Sequence, residues 1–163
     1  MLIAKSNVKG GLPYAVFTKL FDALVSPITS MLHGAGIWGI RQYSEMNTVQ
    51  NKAARYFLGV GRRAPNGSTK GDICWTSVFT KQRVEVTRLW CRLKNMATDR
   101  TPKHISKWSF RHHKSWENLT RKMLQDLDFT QLINNDTISR VKCHHNEVKE
   151  ACIRADHVEW HNC

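Results

Sequence analysis

Apolar residues recur along this chain at spacings of three and four, and no stretch alternates convincingly, so the pattern predicts helices rather than strands. The first run is Val16, Phe17, Leu20, Leu24 and Val25, with Pro13 suited to an opening helical turn behind the flexible pair Gly10-Gly11. Ser26-Pro27 reads as an N-cap and first helical residue of a second piece through Met31 and Leu32, which Gly34-Ala35-Gly36 ends or kinks. Ile37 to Ile40 is too short and glycine-rich to assign. Ser44 is the next expected N-cap, with Glu45 near the positive helix end, and Met46, Val49, Ala53 and Phe57 form the expected buried stripe. Gly59 stands where a left-handed C-cap is wanted, and the turn chemistry of residues 61–71 predicts a long basic loop.

The clearest helix runs from Val78 to Met96, with Val86, Leu89, Trp90, Leu93 and Met96 on one face. Lys81, Arg88 and Arg92 line one border of that face, and Arg83 and Lys94 the other. Asp99 to Pro102 stops it, and a short helix after Ser115 turns Trp116, Leu119, Met123 and Leu127 inward. A last helix starts near Asp136 or Thr137, where Ile138, Val141, His145, Val148, Cys152 and Ala155 repeat at three and four. Such a run fits a heptad seam between two copies or a tail helix docked on its own chain, and His145 and Cys152 would weaken the seam. The expected class is all-α, a helical bundle with a basic loop and a C-terminal helix.

Charge changes the picture. The net charge of +12 is segregated: residues 1–58 carry +4, residues 59–122 carry +11 and residues 123–163 carry −3. A solubilising surface has no need of such segregation, whereas a polyanionic partner does. Five irregularly spaced cysteines and the lack of an apolar leader near Met1 point to an intracellular chain with reduced thiols, in nucleus or cytoplasm. Ala23 to Ile40 lacks charged residues, but its three glycines, Pro27 and several hydroxyl side chains favour a buried segment over a membrane span.

Within the basic block, Arg62, Arg63 and Lys70 belong to the loop, and Lys81, Arg83, Arg88, Arg92 and Lys94 edge the long helix. Lys107, Arg111 and Lys114, with Lys103, His112 and His113, are interleaved with Trp108 and Phe110. Cations among aromatics suit single strands or hybrid duplexes, because rings stack on bases while cations take phosphates. Trp90 and Trp116, on apolar stripes, are read as core, and Trp108 is divided evenly between core and ligand contact. The tail residues Cys143, His144, His145, Cys152, His157, His161 and Cys163 are rich in metal-ligand types, but no CxxC pair occurs and no metal site is expected. No GxSxG, HExxH or GxxxxGK(S/T) run is present, and no adjacent aspartates offer the clustered carboxylates that hold two metal ions about 4 Å apart. Asp72, Glu85, Asp99 and Glu117 are expected as caps and ion-pair partners.

Several segments together resemble the region downstream of the palm in LINE-type (non-LTR, jockey-like) retrotransposon reverse transcriptases. They are Gly10-Gly11-Leu12-Pro13 with Phe17 to Asp22, Gly34 to Gly39, Val49 to Gly59, Pro65-Asn66, Gly71 to Trp75, and Arg88 to Leu93. The likeness covers roughly residues 1–130. It departs from the family pattern at His33 and Gly36, where Tyr and an acidic residue are common, and at Cys74, where Gly is usual. The resemblance implies a thumb-like helical region over 1–130 that grips RNA, DNA or their hybrid; the C-terminal periodicity adds a helical tail over 137–163. It also implies that Mg2+ belongs to a palm carrying Tyr/Phe-x-Asp-Asp, which this sequence does not contain, so the chain is expected to be a polymerase fragment inactive alone. Neither a small-molecule substrate nor a membrane is expected as partner. The rival reading is a protein-interaction module that dimerises through the C-terminal seam.

Overall fold

The structure, a computed structural model, describes residues 12–30, 34–130, 133 and 145–161. Its described helices are α1 (Tyr14–Leu24), α2 (Ser26–Ser30), α3 (Ala35–Trp38), α4 (Ser44–Leu58), α5 (Asn66–Ile73), α6 (Val78–Asn95), α7 (Thr101–Ser109), α8 (Trp116–Asp126) and α9 (His145–His161). Among the described residues there is no β-sheet, and the fold is all-α as the periodicity predicts. No described helix is long and apolar enough to cross a membrane.

Helix α6 is the axis, in contact with α2, α3, α4, α7, α8 and α9. Its sequence has no Gly or Pro, and both ends are capped. The Ser77 side chain accepts from the Thr80 N–H at 3.0 Å. The buried Gln50 amide of α4 accepts from the Val78 N–H and donates to the Thr76 carbonyl. At the other end the Lys103 ammonium donates to the Leu93 and Lys94 carbonyls, placing a cation at the negative pole of the helix. Because so many helices surround it, α6 buries Gln82, Val84, Val86, Thr87, Trp90 and Cys91 on several sides, not on a single stripe.

Two apolar clusters form around this axis. One unites Val86, Trp90 and Cys91 of α6 with Met123 and Leu124 of α8, Ile133, and Val148 and Cys152 of α9. The C-terminal helix is thus docked on its own chain, and two positions of the expected seam lie inside the molecule. The expected start of that helix, with Ile138 and Val141, lies outside the described residues. The second cluster gathers Phe21, Ala54, Phe57, Ile73 and Trp75. Trp75 stacks on Phe21 at 4.3 Å and on Phe17 at 5.8 Å, and donates its N–H to Thr18.

Several elements differ from expectation. The inward face of α1 is aromatic, Tyr14, Phe17 and Phe21, leaving Val16, Leu20 and Leu24 exposed. The ring faces win because they bury more area against Phe57 and Trp75. Ser44 is the first helical residue after Tyr43, and α4 buries Gln50, Asn51, Ala54 and Phe57 while Val49 is exposed. Ser26 opens α2 directly after Val25, and its hydroxyl donates to Asp22. Gly59 does adopt the left-handed C-cap, at φ 63°. Residues 61–71 are not one long loop, because α5 begins at Asn66. Tertiary bonds compensate its poor helix propensity: the Arg55 guanidinium donates to the Ala64 carbonyl and to Asn66, and the Tyr14 hydroxyl donates to the Ile73 carbonyl. Gly36 neither ends nor kinks a helix but lies within α3. A Cβ there would stand 3.0 Å from Leu89 Cδ2 and 3.3 Å from the Glu85 carbonyl oxygen, so a side chain at Gly36 would press α3 against α6.

Candidate nucleic-acid interface

The eleven basic residues singled out in the sequence divide into those engaged inside the fold and those facing solvent. Lys81 pairs with Asp22 at 2.7 Å and donates to Ser26. The Arg83 guanidinium lies 4.2 Å from the Phe79 ring centroid, and its charge acts on the nearby Cys152 thiol. Arg88 is exposed but pairs with Glu85 on the same helix. Lys94 is only 19% exposed, 3.3 Å from Glu117 and 5.3 Å from the Trp90 ring centroid. Lys70 is half-buried in the last turn of α5, at its negative end. Lys81, Arg83 and Lys94 are thus engaged within the fold, and Lys103 caps α6.

Six of the eleven, Arg62, Arg63, Arg92, Lys107, Arg111 and Lys114, are exposed and meet no carboxylate among the described residues. They stand in two groups plus Arg92 on α6. Arg62 and Arg63 occupy the tight turn between α4 and α5, which Arg55 anchors from below. Lys107 lies on α7, and Arg111 and Lys114 occupy the turn before α8. The sequence left 101–109 without an element. It forms a helix because Pro102 stands in its first turn, where a missing N–H costs nothing.

A buried carboxylate fixes this second group in place. Glu117, 2% exposed, accepts from Trp90 Nε1 at 3.1 Å, Ser106 Oγ at 3.2 Å and Arg121 Nε at 3.2 Å, beside the Lys94 ammonium. One side chain thereby ties α6, α7 and α8 together. Its two cations and two neutral donors provide the compensation that a buried charge requires. The expectation of an ion-pair partner holds for Glu117, but its position at this junction left no sequence signal. The following turn is braced too: the Asn118 side chain donates to the carbonyls of Phe110 at 2.9 Å and His112 at 2.8 Å. The basic turn therefore presents its cations from a set conformation.

The aromatic residues sort cleanly. Trp75 and Trp90 are buried, and Trp116 is half-buried with its N–H on the Gly36 carbonyl at 2.9 Å. Trp108 is 62% exposed, touching the His112 ring at 4.6 Å between centroids. Phe110 is half exposed, with the Arg121 guanidinium 4.7 Å from its ring centroid. Among the described residues no three His, Cys, Asp or Glu side chains converge where a metal ion could sit. Cys143, His144 and Cys163, and the side chains of His145, His157 and His161, lie outside the described residues. Compared with known proteins, the chain matches no family model, no curated protein and no solved structure.

Proposed function

We propose that this chain is a nucleic-acid-gripping helical segment of a non-LTR reverse transcriptase type, without polymerase carboxylates of its own. It holds RNA, DNA or their hybrid through backbone phosphates and reads no base sequence. The observation behind this reading is the set of exposed, carboxylate-free cations Arg62, Arg63, Arg92, Lys107, Arg111 and Lys114, within a block of charge +11. A chain using these residues only for solubility gains nothing from bracing them over a buried network. The exposed apolar row Val16, Leu20 and Leu24 of α1 adds support, being surface of the kind a neighbouring domain covers. The rival dimer module is weakened, since Val148 and Cys152 already lie inside the chain.

Phosphate contacts release counterions, and each contributes about 0.9 to the log–log salt slope on duplex DNA and about 0.7 on single strands. With the six exposed cations engaged, anisotropy titrations on a labelled duplex should give a slope of roughly five. Arg92→Glu and Lys107→Glu should weaken every sequence equally and flatten that slope. A salt-independent affinity, or the absence of binding at low salt, overturns the proposal.

A further inference from the structure

The indole of Trp108 is explained neither by the core nor by phosphate contacts. Trp38, Trp75, Trp90 and Trp116 are buried or half-buried, whereas Trp108 stands out at 62% exposure. It lies on the last turn of α7 beside Lys107, and the helical geometry continues past it, with the Arg111 N–H donating to the Trp108 carbonyl. His112 meets the indole at an interplanar angle of 60°, so it props the ring without covering it as a parallel stack would. Asn118 fixes the turn carrying Arg111 and Lys114 relative to this ring. A solvated aromatic face thus lies within six residues of three exposed cations, Lys107, Arg111 and Lys114.

We propose that Trp108 is a stacking platform for an unpaired base, with Lys107, Arg111 and Lys114 taking the flanking phosphates. This end of the molecule then prefers single-stranded polynucleotide to duplex. Bases within a duplex have both faces covered by their neighbours, whereas an unpaired base offers a free π-face to any aromatic ring. A protein partner fits less well, because protein–protein interface centres are depleted of lysine. The inference rests on the polyanion reading above and adds to it the residue and the strand state.

The test uses the whole chain and three ligands of equal phosphate number: oligothymidylate, the same backbone with abasic sites, and a duplex. The wild-type chain should bind oligothymidylate more tightly than the abasic strand. Trp108→Ala should weaken oligothymidylate roughly 5- to 150-fold, from the range for one stacked base, and leave the abasic strand and duplex within about twofold. Trp108→Phe should recover much of the loss, and circular dichroism of both variants should match wild type. If Trp108→Ala weakens all three ligands alike, or none, the stacking proposal fails while phosphate binding stands. If the wild-type chain binds none of them, both readings fail together. A Trp108→Ala change that alters sedimentation mass but not oligonucleotide affinity assigns the ring to a protein contact and also overturns the proposal.

Discussion

Glu117 shows how one buried residue can set the position of a surface it never touches. Its carboxylate accepts from α6, α7 and α8 at once, and Lys94 and Arg121 beside it are themselves mostly covered. Replacing it with an isosteric amide removes the countercharge while leaving both cations in a site of low polarizability. Breaking such a pair from one side costs about 3–5 kcal/mol, far more than an exposed pair is worth. Glu117→Gln should therefore lower the urea midpoint by an amount equivalent to that loss, and should weaken nucleic-acid binding as the α7–α8 turn loosens. A loss below about 1 kcal/mol would place this network no higher than a surface ion pair.

At the scale of elements, legibility in the sequence tracked how far each helix depends on its own residues. Helix α6 was readable because caps, length and composition all agree, and α8 because Ser115 caps it and Met123 points inward. Helix α5 was not: its NGSTKGDI sequence is turn-like, and it is supported by Arg55 from the preceding helix, by the distant Tyr14 and by burial of Thr69 and Ile73. Helix α7 escaped notice because it buries no residue, so its Ile105 and Trp108 stripe faces out. In the α4 stripe Phe57 and Ala53 do pack on the second cluster, but Val49 is exposed while Gln50 is buried, because the Gln50 amide serves the N-terminus of α6. Of the candidate interface, the charged segment was legible, but the internal engagement of Lys81, Arg83 and Lys94 required tertiary partners. The docking of α9 on α6 carries a pH dependence. Burial raises the Cys152 thiol above its ordinary value of 9.0, and the Arg83 guanidinium offsets part of that. The folded state then holds this proton more tightly than the unfolded chain. Its stability contribution is complete below that ordinary value and declines as pH rises toward the folded value. Unfolding free energies should fall more steeply between pH 8 and 11 for wild type than for Cys152→Ala, despite the variant's lower starting point. Parallel curves would show that the thiol does not titrate with unfolding.

For the whole molecule, the decisive feature is that its two groups of exposed cations belong to elements that meet opposite ends of α6. The α4–α5 pair reaches the axis at Val78 through Gln50, and the α7–α8 pair reaches it at Trp90 and Lys94 through Glu117. Sixteen residues separate Val78 from Lys94, about 24 Å of helix axis at 1.5 Å per residue. Paired phosphates advance about 3.4 Å per base step along a duplex, so roughly seven base pairs cover that span. On the proposed reading, a duplex shorter than this anchor spacing reaches one group at a time, and a longer one engages both. The log–log salt slope should therefore be small for duplexes of four or five base pairs and rise once length passes about seven, then level off. Arg62→Glu with Arg63→Glu should abolish that rise without altering the slope on the short duplexes that settle at the α7–α8 end. If the slope is the same at every length, one cluster alone meets the phosphates, and the separation along α6 has no part in binding.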